Sequence, residues 1–216
     1  MSIIDLSLTI DNECMTCNAP WHQKVLIEQL GYLQEVGRNT SRFQLGSHTA
    51  THMDAPLHFF DGTKGIDKVN LENCIGEVTC IDFRNKGAGE IIRYADVESI
   101  RVTERMLFVF GWYKWWKTDK FYKEFPYFEE EAIRYLVENG MRFMAMDTPS
   151  PDDGSAIQKK DDSPMHKILL ERDVIIVEYL CNTLEIDFMK QYDIIALPLK
   201  IKEVDGSPAR VVLKER

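Results

Sequence analysis

The feature that most constrains this chain is a run of histidines between residues 46 and 60. The sequence contains five histidines, and His48, His52 and His58 fall within this run. Asp54 stands between the last two, and all four residues occupy even positions. A straight strand would turn them to one face but would separate His48 from His52 by roughly 13 Å, at about 3.3 Å per residue. One metal ion needs each nitrogen at about 2 Å, so the chain must curl between these histidines.

Small residues around the first histidine allow such a curl, as a helical turn or as a tight loop. These residues are Gly46, Ser47 and Ala50, and Pro56 then ends any regular helix or interior strand. Imidazole nitrogens and a carboxylate suit Zn²⁺, and also Mn²⁺ or Fe²⁺. The alternative is a set of partly buried histidines held by hydrogen bonds. The clustering of three histidines with an aspartate favours the metal site.

Two residues far along the chain are further candidates. These candidates are His166 and Glu178. His166, which with His22 completes the five histidines, follows Ser163-Pro164, a pair that is typical of a helix start. Glu178 interrupts the apolar run of residues 174–180. A carboxylate in a buried strand is costly unless it is paired or bound to a metal. Alternatively, Glu178 lies on an edge strand and faces solvent.

The order of apolar segments predicts a mixed α/β fold. Strands alternate with helices only in the second half of the chain, whereas the first half is rich in strands. Strands are predicted at residues 2–8, 25–30, 39–45, 76–83, 106–112, 142–146, 174–180, 194–199 and 209–213, and helices at 95–100, 128–139 and 163–172. Without repeats or an evident linker, residues 1–216 are predicted to form one domain.

Composition excludes several classes of function. The chain carries 35 acidic against 26 basic side chains, a net charge of −9. Such a protein is a poor candidate for binding nucleic acid or an anionic membrane. No apolar run approaches the roughly 20 residues that span a bilayer. The N-terminus shows no basic segment leading into an apolar one, so we expect a cytoplasmic protein.

Residues 48–59 resemble the His-x-Gly-Thr-His-x-Asp-x-Pro-x-His-Phe signature of the cyclase family of metal-dependent hydrolases. That family includes bacterial kynurenine formamidases and isatin hydrolases. The resemblance extends over most of the chain, from the opening strand at residues 4–7 to the turn at residues 147–150. Ala50 stands where the family usually has glycine, and alanine disfavours a positive φ by about 1 kcal/mol or more. Phe110 stands at a threonine position, where the family has a polar contact near the active-site wall.

The resemblance implies the fold, the ligands and the ions. The implied fold is the swivelling β/β/α type, a mixed-sheet α/β domain, commonly assembled as a homodimer or larger. The implied metal ligands are His48, His52, Asp54, His166 and Glu178. They would hold one or two Zn²⁺ ions, with Mn²⁺ possible, and Asp54 would bridge two ions because a carboxylate offers two oxygens.

The resemblance also implies a reaction, the hydrolysis of a small aryl formamide such as N-formylkynurenine by a metal-activated water. His58 would be the catalytic proton donor and acceptor, and Trp21 would contact the substrate. The alternatives are hydrolysis of a cyclic amide such as isatin, or a metal-binding family member without hydrolase activity. The chain has no Gly-x-Ser-x-Gly elbow, which argues against a serine nucleophile. The expected partner is therefore a small amide substrate.

Overall fold

The fold was obtained as a computed structural model that describes residues 2–15, 22–156 and 163–216. Twelve strands are found among these residues: β1 Ile3–Asp5, β2 Leu26–Gly31, β3 Thr40–Gln44, β4 His52–Asp54, β5 Ile75–Asp82, β6 Ile91–Ile92, β7 Arg105–Val109, β8 Tyr127–Phe128, β9 Phe143–Met146, β10 Ile175–Glu178, β11 Tyr192–Pro198 and β12 Gly206–Glu215. The α-helices are α1 Leu33–Val36, α2 Leu71–Cys74, α3 Tyr94–Val97, α4 Asp119–Lys123, α5 Glu130–Glu138 and α6 Pro164–Glu171. Short 3₁₀ helices lie at Pro56–His58, Ile66–Lys68, Trp112–Trp115, Gly154–Ala156 and Thr183–Glu185.

Eight strands form one mixed sheet in the order β1-β12-β11-β5-β7-β9-β10-β4. The start of β12 also pairs with β4, which closes the sheet into a barrel-like ring. Strands β5, β7, β9 and β10 are mutually parallel, while β4, β11 and β12 join them through antiparallel pairs. The hairpin β2–β3 and the pair β6–β8 are separate two-stranded sheets. The predicted mixed α/β class is confirmed.

The central strand β7 shows how the core is divided. Met106 and Phe108 pack in a cluster that includes the apolar faces of α5 and α6, whereas Leu107 and Val109 pack in a second cluster with residues of β11 and β12. Alternate residues of a strand point to opposite faces, so both faces of β7 are buried. Each such buried side chain contributes roughly 1.5–3 kcal/mol relative to an exposed one. The two clusters therefore fix the strands on which the site is built.

Every segment predicted as a strand contains an observed strand, with boundaries shifted by a few residues. Strand β4 was not predicted, because three residues with two polar side chains carry no strand pattern of their own. Its extended form comes from pairing with β10 on one side and β12 on the other. Among the residues described, no helix combines the length and apolar character that a bilayer crossing requires. The organisation of residues 1–216 as one domain stays a prediction.

Candidate metal centre

The curl predicted between His48 and His52 is present, and Ala50 makes it. Ala50 adopts a left-handed backbone with φ 52° and is 1% exposed. Its carbonyl oxygen accepts a hydrogen bond from His52 Nδ1 at 2.8 Å. The positive φ therefore occurs at the position where the family signature has glycine, and for alanine it costs roughly 1–2 kcal/mol.

Strand pairing brings two distant candidate residues together. In the register of β4 and β10, His52 stands opposite Glu178, and Asp54 stands opposite Ile176. Because β4 is extended, His52 and Asp54 share a face. Asp54 is 1% exposed and Glu178 is 4% exposed. Glu178 thus does not face solvent from an edge strand, but lies between β9 and β4 inside the closed sheet.

His52 and His166 are each fixed from the side away from Asp54. His52 Nδ1 faces the Ala50 carbonyl, and His166 Nδ1 lies 2.6 Å from Asp152 Oδ2. A carbonyl can only accept, and Asp152 already accepts from the backbone N–H groups of Met165 and His166. Each Nδ1 therefore carries a hydrogen, and in the neutral ring the lone pair of Nε2 faces the carboxylates.

His48 is fixed in the same way by a residue from the far end of the chain. Its Nε2 lies 2.6 Å from Asp205 Oδ2, and its Nδ1 lies 2.9 Å from Asp54 Oδ1. The next residue, Gly206, supports this ring closely. A Cβ there would lie 2.9 Å from the carbonyl oxygen of Met53 and 3.1 Å from His48 Cε1, so a larger residue would displace the ligand segment.

Asp54 and Glu178 each present one oxygen to His52 and the other to His166. His52 Nε2 lies 3.5 Å from Asp54 Oδ1 and 3.3 Å from Glu178 Oε2. His166 Nε2 lies 3.3 Å from Asp54 Oδ2 and 3.2 Å from Glu178 Oε1. Tetrahedral ligands at about 2.0–2.1 Å from a metal would be roughly 3.3 Å apart. The spacing is that of ligands around a cation rather than of hydrogen-bonded partners.

The hydrogen-bond geometry supports the same interpretation. Both oxygens of Asp54 and Oε1 of Glu178 are buried, yet they accept no hydrogen bond from any described group, although histidine nitrogens lie within ion-pair distance. A buried oxygen without a partner is strongly unfavourable. Asp54 and Glu178 share one group of potential ligands with His52, and Asp54 shares another with His48 and His58. The donor set therefore fits a divalent ion, which would satisfy these oxygens.

The electrostatics of the centre favour positive charge. Burial lowers the pKa of His48, but the charge of Asp54 and the hydrogen bond with Asp205 outweigh it and raise that pKa to about 10. Burial likewise opposes protonation of His166, whereas its contacts with Asp152, Asp54 and Glu178 hold its pKa well above the ordinary value. Burial raises the pKa of Asp54, yet the charge of His48 and its other histidine neighbours hold it well below 3.8. Protons on these histidines and a metal ion therefore compete for the negative charge of the carboxylates.

His58 lies at the open side of the centre. It ends the 3₁₀ helix Pro56–His58, and its side chain is 27% exposed, against 2% for His52. Its ring centroid is 4.1 Å from that of His48 and 6.0 Å from that of His166. Burial lowers the pKa of His58, and the hydrogen bond with Asp205 acts in the opposite direction. The position admits contact with a substrate, and also ligation beside His48.

Comparison with known proteins identifies the family. The family model described as "Putative cyclase" matches residues 4–153. The kynurenine formamidase of Bordetella petrii is 34% identical over 182 residues, which cover 82% of this chain and 81% of that protein.

The chain belongs to the cyclase family.

Solved structures of cyclase-family type share the fold. An isatin hydrolase bound to the product analogue thioisatinate superposes with a TM-score of 0.88 at 20% identity, over 99% of this chain and 92% of that one. A protein described as a predicted metal-dependent hydrolase from Bacillus stearothermophilus superposes with a TM-score of 0.78 at 26% identity, over 98% and 97% of the two chains. The family fold expected from the sequence is confirmed.

The five ligands predicted from the cyclase signature lie together in the structure, but their role as ligands stays a prediction. Aromatic residues of the motif and of the segment after β7 lie in different places. Phe59 borders the centre, with ring centroids 4.5 Å from His58 and 5.4 Å from His166. Phe110 and Trp112 are buried instead in the core cluster that includes the apolar faces of α5 and α6. The phenylalanine at the family's threonine position therefore packs against apolar rings. Trp21 lies outside the described residues, and its substrate contact stays a prediction.

Sequence reasoning missed the groups that surround the ligands. Asp152 and Asp205 orient two of the histidines, Gly206 supports His48, and Tyr179 packs its ring 5.1 Å from that of His52. Asp152 lies two residues after Ser150, the end of the turn at residues 147–150 that resembles the family, and this proximity was a usable signal. Asp205 gave none, because an aspartate before a glycine is typical of an ordinary turn.

Proposed function

We propose that this protein is a metal-dependent hydrolase of amide bonds whose substrate is a small aryl formamide, with N-formylkynurenine as the best single candidate. The observation that carries the proposal is the pair of buried carboxylates, Asp54 and Glu178, shared between two histidines with unsatisfied oxygens. The similarity to an enzyme named kynurenine formamidase over four-fifths of both chains supports the formamide as substrate.

The ligand set supports one or two ions. The residues that would hold the ion or ions are His48, His52, Asp54, His166 and Glu178. Imidazole with carboxylate suits Zn²⁺ and accommodates Mn²⁺. Asp54 is the natural bridge, since its two oxygens face different histidines.

A bound divalent ion supplies Lewis-acid chemistry, acidifying a water molecule and polarising the amide carbonyl. The chain's own groups do the rest. His58, the most exposed of the motif histidines, takes a proton from the water and returns it to the leaving nitrogen. Phe59 offers an aromatic face beside His58 for a flat ring. Buried Asp152 and partly exposed Asp205 hold the ligand imidazoles in one tautomer.

Metal content is the first test. Protein purified without added metal is analysed by elemental analysis beside the variants His52→Ala and His22→Ala. We expect about one or two equivalents of Zn or Mn in the wild type and loss of metal in His52→Ala. His22→Ala is the matched control, because its ring lies 6.1 Å from that of His48 and it belongs to neither described ligand group. No uptake by the wild type, even on titration, would refute the metal centre.

Activity is then measured on N-formylkynurenine, simple aryl formamides and isatin. The proposal expects formamide hydrolysis to dominate. Preferential turnover of isatin would move the assignment to cyclic amides, and a metal-loaded protein inactive on all of them would indicate a family member without hydrolase activity. His58→Ala separates two roles: retained metal with activity reduced by roughly 10²–10⁴ indicates acid–base catalysis, whereas lost metal indicates ligation.

The proposal includes an assembly and a location. A homodimer or larger assembly is supported by the family, and by the exposed apolar side chains on the β2–β3 hairpin, such as Leu30 and Phe43. Light scattering coupled to size-exclusion chromatography tests it, and a monomer at micromolar concentration would contradict it. The proposal also includes a cytoplasmic location, which cell fractionation tests.

A further inference from the structure

Asp205 occupies a turn that is fastened directly to the ligand segment. Its carbonyl oxygen accepts a hydrogen bond from the backbone N–H of Ala55 at 2.9 Å. The following residue, Gly206, pairs with Asp54 in the β12–β4 ladder. The side chain of Asp205 is 39% exposed, so it borders the open side of the centre. Its backbone is thus held in place independently of anything the carboxylate does.

One oxygen of this carboxylate faces three donors. Oδ2 lies 2.6 Å from His48 Nε2, 3.4 Å from His58 Nδ1 and 3.2 Å from Ser47 Oγ. The distance to His58 is longer than a usual N–H···O hydrogen bond. Catalytic hydrogen bonds are commonly long before a substrate is bound. The rings of His48 and His58 lie 4.1 Å apart with an interplanar angle of 34°, so both edges meet the same oxygen.

This contact selects one tautomer of His58. A carboxylate oxygen accepts hydrogen bonds, so it favours the neutral ring that carries its hydrogen on Nδ1. Nε2 is then left with the lone pair that a proton acceptor needs. Without Asp205, nothing among the described contacts of His58 Nδ1 would prefer that tautomer.

We propose that Asp205 is the positioning residue of the proton-transfer group, holding His58 and the ligand His48 together through a single shared oxygen. The proposal rests on the proposed function for its kinetic consequence, but not for its structural one. It differs from a role confined to His48, in which Asp205 would only orient a metal ligand and its removal would weaken metal binding without changing His58.

The kinetic test compares Asp205→Ala and Asp205→Asn with Asp67→Ala. Asp67 is a matched control, since its Oδ1 accepts from the N–H of Glu203 at 3.0 Å and fastens the same turn without reaching a histidine. In fully metal-loaded protein we expect kcat to fall roughly 10²-fold in Asp205→Ala, with KM changed less than about threefold. Asn keeps one acceptor oxygen and should recover about tenfold of the loss. Wild-type kcat in Asp205→Ala, or an equal loss in Asp67→Ala, would overturn the proposal.

The structural test needs no substrate. Long-range ¹H–¹⁵N spectra of the five imidazoles are recorded on zinc-loaded protein, with His58 assigned through the His58→Gln variant. We expect neutral His58 to carry its hydrogen on Nδ1 in the wild type and in Asp67→Ala, and to shift toward the Nε2 tautomer in Asp205→Ala. An unchanged His58 tautomer in Asp205→Ala, with weaker zinc affinity, would confine Asp205 to His48 and refute the proposal. A protein inactive on all amides but with the expected tautomer change would refute only the proposed function.

Discussion

Two buried aspartates in the main sheet differ in their hydrogen bonds. Asp147, after β9, is 0% exposed and accepts hydrogen bonds from the N–H groups of Phe110 and Gly111 at 2.9 and 2.7 Å, and from the hydroxyl of Thr183. Asp54, in β4, is 1% exposed, and neither of its oxygens accepts a hydrogen bond from a described group. Both are buried carboxylates, but among the described residues only Asp147 has hydrogen-bond partners, whereas Asp54 has histidines at ion-pair distance.

The difference separates a carboxylate satisfied by the fold from one that we propose as a metal ligand. Buried polar groups are nearly always satisfied, and Asp147 follows that rule by joining three segments of the chain. Asp54 departs from the rule together with Glu178, whose Oε1 also lacks a partner. Burial alone does not therefore mark a site. The hydrogen bonds that are missing mark it, because they leave charge for a cation to neutralise.

The backbone around the metal centre is also strained. The loop that faces Asp147 has its positive φ at a glycine, Gly111, with φ 65°. Around the metal centre the positive φ values belong to Ala50 and to Tyr179, with φ 52° and 59°. Each costs about 1–2 kcal/mol, and Tyr179 directly follows Glu178. Positive φ also occurs at other non-glycine residues, including Asn182 beside Thr183, so backbone strain accompanies the candidate ligands but does not by itself mark the site.

The strongest test of the comparison is the same substitution at both aspartates. In Asp54→Ala we expect metal content to fall by half or more and kcat/KM to fall at least roughly 10³-fold, about 4 kcal/mol of transition-state stabilisation. The unfolding free energy of chelator-treated protein should change less than in Asp147→Ala, because removing Asp54 leaves no buried backbone N–H without an acceptor. Elemental analysis, kinetics and urea denaturation measure the three quantities. Retained metal and activity would break the comparison.

Asp147→Ala should lose stability but keep its metal. It leaves the buried N–H groups of Phe110 and Gly111 without an acceptor, which costs roughly 3 kcal/mol in unfolding free energy at pH 7. The folded fraction should keep its metal. Urea denaturation gives the stability, and Thr183→Val, which removes a single donor, is the graded control, with a loss of about 1 kcal/mol. Loss of metal from folded Asp147→Ala would make Asp147 part of the site after all.

The pH dependence sharpens the same contrast. Burial raises the pKa of Asp147 from 3.8 to about 6, although its hydrogen bonds act in the opposite direction. The folded state therefore binds this proton more tightly than the unfolded state, so the stability that Asp147 contributes falls as pH rises from 4 to 6. The gap in unfolding free energy between wild type and Asp147→Ala should shrink by roughly 2–3 kcal/mol over that window. If the gap widened as the pH rose, the pKa of Asp147 would be lowered by folding and not raised.

The smallest expected effect concerns strain. Ala50→Gly relieves a positive φ worth roughly 1–2 kcal/mol, but it also removes a buried methyl worth about 0.8 kcal/mol and adds freedom to the unfolded chain. The net change in unfolding free energy should stay below about 1 kcal/mol, with metal content unchanged. Thermal denaturation at several scan rates measures it. A loss well above that value would mean that the Ala50 methyl is required for packing.

The sequence predicted the parts of this molecule whose signal is local. Apolar runs predicted the strands, and small residues predicted the curl at Ala50. The energetic cost of a buried carboxylate drew attention to Glu178. Strand β4 could not be predicted, because its pairing partners lie far along the chain. Asp205 was not predicted for the same reason, since neither its residue type nor its neighbours distinguish it from an ordinary turn. Long-range pairing, rather than composition, completed the site.

The closure of the sheet by β12 has a consequence for the order of events during synthesis. His52 and Asp54 leave the ribosome early, Glu178 late, and Gly206, which seats β4 against β12, later still. Contacts of such long sequence separation form slowly, and they cannot form before the last of their strands exists. A growing chain therefore carries only part of its donor set and holds an ion weakly, if at all. Under the proposed function, the metal centre is completed only when β12 is in place, so a folded sheet and not a nascent chain would capture the ion.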